Sequence, residues 1–294
     1  MVQDKAWSGL ALPALAVGVL AVGTAAVIIR LAEAPAIAVA FWRCALGVVA
    51  LAPFAFVRRE RFPRGKKLHI GIASGVALGA HFGFWVSSLD YTSVAASVVL
   101  VTSSPIFVAI LAHVFLGERT SPVSFVGILV ALAGTVVIAS DDAVGSAALL
   151  GNMLALAGAA TFAVYVLTGR FSRTGGVGFL GYSIVAYSAG ALTLLPVGLL
   201  SGAQMWGYSG EAWFWLVMLT LGPQILGHTV LNWALGYLDA AVISGAVLAE
   251  PVVSSILAWL ILSETPGAPT IAGGAVVLLG LFLLLRGYGR AASP

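Results

Sequence analysis

Charge and cysteine are the scarce components of this sequence. Only 9% of its 294 residues are charged, and Cys44 is the single cysteine. So little charge excludes an ordinary soluble domain of this size, whose surface would need far more of it. A lone thiol excludes a disulfide framework and a cysteine metal site. Hydrolase signatures are missing as well, with no HExxH, no GxSxG and no pair of aspartates inside an apolar segment. No nucleotide-binding loop occurs, so ATP cannot act through a motif of this chain. No cofactor is expected.

What is present is apolar. Hydrophobic residues make up 61% of the chain, in runs of about 20, the length a helix needs to cross a bilayer. A transmembrane barrel would instead show short alternating segments. The expected fold class is an all-α membrane protein of ten spans, at 9–30, 35–57, 68–89, 93–116, 121–140, 147–169, 178–200, 211–234, 240–262 and 268–286. Connections are short apart from the basic stretch "VRRERFPRGKK", so function must lie within the bundle. Lys5 and the small residues of "EAPAIAVA" give the first span some look of a signal peptide, but its apolar run is too long for one. It is expected to be retained as a span.

Positive loop residues set the orientation. With the N-terminus inside, Lys5, Arg58, Arg59, Arg61, Arg64, Lys66, Lys67, Arg119, Arg170, Arg173, Arg286 and Arg290 fall on the cytoplasmic side and only Arg30 falls outside. That asymmetry predicts both termini in the cytoplasm. The net charge of +3 is then a topology signal and calls for no nucleic-acid partner. Trp206, Tyr208, Trp213 and Trp215 cluster where the outer interface of spans seven and eight should lie, as amphipathic rings do.

The chain also repeats itself. A shift of 146 residues aligns Tyr91 with Tyr237, Ala95 with Ala241, Pro105 with Pro251, Glu118 with Glu264, Gly127 with Gly273 and Gly134 with Gly280. The expected units are 1–142 and 143–294, each of five spans. Five is odd, so the second unit enters the membrane in the opposite sense. Inverted repeats are a frequent architecture of secondary transporters, whose halves rock about a site near the midplane.

Four features carry a family resemblance: "FWRCALG" in the second span, the "SSP" to "LGE" run in the fourth, its mate "AEP" to "LSE" in the ninth, and the glycine-spaced fifth and tenth spans. With them the sequence resembles the drug/metabolite transporter superfamily with paired EamA domains, and within it the YddG type of amino-acid exporter. The resemblance implies a ten-helix, multi-pass exporter of the bacterial inner (plasma) membrane that moves amino acids or similar metabolites. One departure is plain: the first span, "LALPALAVGVLAVGTAAVII", lacks the acidic proton carrier of the small multidrug branch.

Polar residues inside spans mark the candidate site. Pro105 and Pro251 each remove a backbone hydrogen bond, which lipid tolerates only where protein or a wet cavity supplies a partner, so both are expected as interior kinks, fixed or hinged. Ser104 precedes one proline and Glu250 the other. A carboxylate near the bilayer centre costs roughly 2.5 kcal/mol or more, and its most attractive partner is Arg43, either in an internal salt bridge or across a zwitterionic substrate. Gln224, His228 and Asn232 recur every four residues, as do His81 and Trp85 in the other half, which suggests two facing stripes of a cavity wall. Tyr165 belongs to the candidate set, with Trp42 and Trp233 as further rings within spans. His113, Asn152 and Tyr237 lie nearer span ends. Gly127 with Gly134, and Gly273 with Gly280, allow close backbone approach, either between the halves or in a dimer.

The expected function is an alternating-access carrier that exports small amphiphilic metabolites, amino acids first. A small-molecule substrate and the lipid bilayer are its expected partners, and a monomer suffices. Cationic drugs or nucleoside-like metabolites are the alternative cargo, and an intramembrane enzyme or a channel the alternative class.

Overall fold

Backbone that enters hydrocarbon must bond to itself, and the ten apolar runs all fold as helices. The computed structural model describes residues 9–92, 94–139, 146–263, 265 and 267–291; Lys5 of the charge pattern and Glu264 of the repeat lie outside these, as does the side chain of Arg290. In chain order the helices are α1 (Ala11–Leu31), α2 (Ala36–Val57), α3 (Lys66–Ser88), α4 (94–116), α5 (Pro122–Ala139), α6 (Ser146–Thr174), α7 (Phe179–Leu200), α8 (Gly210–Ala234), α9 (Ala240–Leu262) and α10 (Ala268–Ala291). No strand occurs among the described residues. Eight helices have the length and apolarity to cross a membrane, and the apolar stretches of α5 and α10 are shorter. The expected boundaries hold to within a few residues. The largest extensions are at the ends of α6 and α10; α6 continues through Arg170 and Arg173 to Thr174, and both guanidinium groups find carbonyl acceptors there.

Packing follows the repeat. Helix α3 lies against α6 as α8 lies against α1, while α2 pairs with α7 and α5 with α10. Each pair exchanges with another, or with itself, when the halves are interchanged, so the bundle has a pseudo-two-fold arrangement.

Small residues set the closest approaches. A Cβ on Gly127 would lie 2.4 Å from the Leu284 nitrogen and 2.7 Å from the Gly280 carbonyl oxygen. A Cβ on Gly280 would lie 2.3 Å from the Ala131 nitrogen, and one on Gly134 would lie 2.7 Å from the Gly273 oxygen. The two glycine pairs therefore pack α5 against α10 within one chain. Gly75, whose Cβ would fall 2.3 Å from the Ala186 oxygen, and Gly79, 2.9 Å from the Gly190 oxygen, do the same for α3 and α7. Lipid gives helices no hydrophobic reason to associate, so such backbone approach supplies much of the packing.

An ionic cluster ties one end of the bundle. Arg170 on α6 reaches Glu118, just beyond α4, at 2.5 Å and Asp239, just before α9, at 3.0 Å. Its third nitrogen, Nη1, donates to the Leu235 carbonyl at 2.9 Å. The other Glu118 oxygen accepts the Ala240 N–H at 3.1 Å, at the start of α9. Burial raises the Asp239 carboxyl above its ordinary range; the Glu118 charge adds to that and Arg170 opposes it.

Substituting Gly127→Val should lower the stability of the purified protein in detergent by roughly 1–3 kcal/mol, read as an earlier loss of the monodisperse peak on heating. Leu129→Val, at an exposed position on the same helix, should leave that temperature unchanged.

Candidate functional site

Four helices change their regular winding: α1 is interrupted at Thr24, whose hydroxyl donates to the Ala21 carbonyl at 2.8 Å, and α4, α8 and α9 change beside the cavity. Helix α4 stops at Val101 and restarts at Ser104, with Pro105 in the first turn of the new segment. Helix α9 passes through one 3₁₀ turn, Val247–Ala249, and restarts at Glu250 with Pro251 next. The sequence suggested kinks in continuous helices; instead each proline opens a second segment, where its missing N–H has no helical partner to lose. Local groups cover the carbonyls at these breaks. The Thr102 hydroxyl donates to the Val98 and Val99 carbonyls at 2.8 and 3.0 Å, Ser103 donates to Leu100 at 2.7 Å, and the Glu250 N–H donates to Val247. Helix α8 widens into a π-helix over Thr220–Thr229, a winding found mostly in short pieces and often at functional sites. The Thr229 and Tyr187 hydroxyls both approach the Gln224 carbonyl in this stretch, at 3.2 and 3.3 Å.

The breaks enclose a cavity. Its wall is formed by Val22, His81, Trp85, Val101, Thr102, Ser104, Phe162, His228, Leu231, Val247 and Glu250. Three pairs in this wall, Trp85 with Leu231, Val101 with Val247 and Ser104 with Glu250, are separated by 146 residues, so the cavity straddles the repeat axis. About 350 Å³ here is free of atoms, but only about 20 Å³ is open to the centre of a water molecule. The smaller figure governs occupancy, and it admits a water or two and nothing larger. Every residue of its wall is buried.

Two charges sit at this centre without pairing. Glu250 is 4% exposed, and no hydrogen bond or ion pair engages its carboxylate among the described residues. Arg43, fully buried, donates from Nε to the Gln224 side-chain oxygen at 3.0 Å and lays its guanidinium 3.7 Å from the Phe82 ring centroid. The internal salt bridge weighed from sequence is therefore absent here, since Gln224 and the face of Phe82 hold the cation instead. Seven buried side-chain polar atoms lack a partner among the described residues, and six belong to this region: Arg43 Nη1 and Nη2, Gln224 Nε2, Trp85 Nε1, Ser104 Oγ and His228 Nδ1. Buried polar groups are normally satisfied, so this concentration marks the place where a polar guest would be most favourable.

The remaining sequence candidates lie in the wall, as His81 and His228 do, or directly behind it, as Tyr165, Gln224 and Asn232 do. The His81 Nδ1–H donates to the Gly158 carbonyl at 2.9 Å, and its ring lies 6.3 Å from that of His228 and 6.0 Å from that of Trp85, parallel to the latter. Tyr165 donates to the Asn232 side-chain oxygen at 2.7 Å, and Asn232 donates in turn to Ser183 at 3.0 Å. Gln224, His228 and Asn232 are all buried, but each serves a different neighbour. Others lie away from the cavity. The Trp42 indole donates to the Met205 carbonyl at 2.6 Å and packs edge-on against Trp213, Trp233 packs on Tyr237, Asn152 accepts from Thr92, and His113 is exposed. Phe82, Phe162, Val22 and Thr102 were not singled out from sequence. Only Phe82 had a signal, being the repeat mate of His228.

This architecture matches known proteins. A model of the EamA-like transporter family matches residues 9–140 and again 149–286. The chain belongs to the EamA-like transporter family. Among relatives, the uncharacterized transporter YdfC of Bacillus subtilis (strain 168) is 27% identical over 246 residues, 82% of this chain and 79% of that protein. The pseudopaline exporter CntI of Pseudomonas aeruginosa is 26% identical, covering 97% of this chain and 99% of the relative. A probable terminal-alkyne amino-acid exporter of Streptantibioticus cattleyicolor is 27% identical over 85% of each chain. A crystal structure with 19% identity superposes with a TM-score of 0.77 over 97% of this chain and 99% of the other, which shows the shared fold. This EamA-like protein is thus a multi-pass transporter of the inner membrane, not an enzyme.

Replacing Tyr165 by Phe should destabilise this EamA-like protein by roughly 1–3 kcal/mol, because the buried Asn232 oxygen loses its donor. Thermal unfolding in detergent measures the loss.

Proposed function

We propose that this chain exports small amphiphilic metabolites, amino acids first, by alternating access, with both termini in the cytoplasm. One observation carries the reading: Glu250 and Arg43 are buried, opposite charges that do not pair with each other, Glu250 in the wall of a cavity on the repeat axis and Arg43 just behind that wall, against Phe82 and 6.0 Å from the Trp85 ring. A zwitterion would satisfy both. Its ammonium group meets the Glu250 carboxylate, and its carboxylate takes the two free guanidinium nitrogens of Arg43 once the Phe82 layer shifts. Trp85, Phe162 and the two histidines then enclose an apolar or aromatic side chain. Ser104, Gln224, Tyr165 and Asn232 position these groups, and Pro105 and Pro251 mark the segment ends that move. Relatives named as exporters of pseudopaline and of an alkyne amino acid support the substrate class, as does the resemblance to YddG-type exporters. Because the space beside Glu250 is narrow in this conformation, loading is expected to require the halves to part, as in alternating access.

A second reading follows from the wall itself, which contains Glu250 and aromatic rings but not Arg43. Such a wall suits an organic cation. Counterflow separates the two. Proteoliposomes loaded with unlabelled methionine or phenylalanine should take up the labelled amino acid, and Arg43→Ala and Glu250→Gln should each reduce this by about tenfold or more. Uptake of a cationic dye that survives Arg43→Ala but not Glu250→Gln would favour the cation. Two folded variants that both transport at the original rate would remove these residues from the site.

A further inference from the structure

The ionic cluster around Arg170 has a counterpart at the opposite end of the bundle. Arg30, near the end of α1, donates to the Leu89 carbonyl at 3.4 Å, as Arg170 donates to the Leu235 carbonyl. Leu89 and Leu235 are separated by the repeat offset of 146. Arg30 and Arg170 are separated by 140, the same interval that separates Val22 from Phe162, the residues with which α1 and α6 enter the cavity wall. An arginine at the end of the first helix of each half thus reaches a carbonyl at the end of the third helix of the same half, once at each face. The coincidence of residue type, acceptor and interval goes beyond chance packing.

The two ends differ in how fully they are engaged. Arg170 is largely buried and binds two carboxylates, one from each half of the chain, so it joins α6 to the ends of α4 and α9. Arg30 is exposed and holds one long bond. Asp90 lies within its field but forms no ion pair with it, and burial raises that carboxyl while Arg30 opposes the rise. A structure whose halves are interchangeable would let these ends trade states.

We propose that Arg170 and Arg30 are repeat-related gate residues, each tying the helix ends at its own face, and that transport alternates between them. This rests on the carrier reading but not on the substrate, so it is tested without one. Cysteine is introduced at Val247 in the cavity wall, in a Cys44→Ser background, and an impermeant thiol reagent is applied to either face of reconstituted vesicles of known orientation. Arg170→Gln should speed labelling from the Arg170 face by about tenfold, the effect of removing one charge-assisted partner. Arg30→Gln should speed labelling from the other face, and Arg170→Lys should restore part of the original rate. If Arg170→Gln fails to stay monodisperse, Glu118→Gln and Asp239→Asn remove the same ties singly and should act in the same direction. Unchanged rates at both faces, or both arginine variants opening the same face, would overturn the proposal. Equal and rapid labelling from both faces in the parent protein would instead sink the carrier reading itself.

Discussion

In hydrocarbon every backbone N–H and C=O must find its partner inside the protein, and the shape of this bundle follows from that constraint. Regular helix meets it along most of the lipid-facing surface. The exceptions in α4, α8 and α9 lie beside the cavity, and the one in α1, at Thr24, is covered by its own hydroxyl on the Ala21 carbonyl. Beside the cavity, hydroxyl groups of Thr102, Ser103, Thr229 and Tyr187 take the carbonyls that regular winding would have satisfied. Irregular backbone thus concentrates beside the cavity, although Leu221 and Leu226 of the π-helix face outward.

Pseudo-symmetry supplies the frame and asymmetry supplies the chemistry. Where the first half has Ser104 the second has Glu250, and where the first has Trp85 the second has Leu231. Helix α2 brings Arg43, while its counterpart α7 has no Lys or Arg. The two intramembrane charges therefore come from opposite halves, and each is an addition that the scaffold does not require. Their cost is reduced by different means: Gln224 and the Phe82 ring hold Arg43, while Glu250 sits at the first turn of a helical segment, where the exposed N–H groups favour a negative charge.

Much of this was legible because the alphabet is so restricted. In a chain where most letters are apolar, Glu250, Arg43, the prolines and the evenly spaced glycines stand out, and the 146-residue offset could be read from a handful of them. The glycines resolve cleanly into packing within the chain, since Gly127 and Gly280 approach each other's helices too closely for any side chain. The apolar half of the cavity wall was hidden for the opposite reason: Val22, Phe162 and Leu231 look like every other span residue, and only the fold says which of them face inward. The π-helix was hidden too. A spacing of four reads as one face of an α-helix, and a wider turn changes what Gln224, His228 and Asn232 touch without changing their order. Arg170 was read as a loop charge marking topology, and its pairing with Glu118 and Asp239 depends on helix ends that are distant in sequence.

The absence of an Arg43–Glu250 bond is the feature that connects scaffold and function. Had the two side chains met, each would have discharged the other, and a buried ion pair of good geometry would be a stable end point with little left to offer a guest. Held apart, they leave a carboxylate without an ion-pair partner in the cavity wall and two guanidinium nitrogens unbonded just behind it. That is an expensive ground state for a membrane interior, and the packing of aromatic rings around it adds nothing that would require it. Its cost makes sense if the missing interactions are to be supplied by something that enters and leaves. On the proposed reading, a guest that relieves both charges at once carries both itself, and the energy withheld from an internal salt bridge would go to binding it.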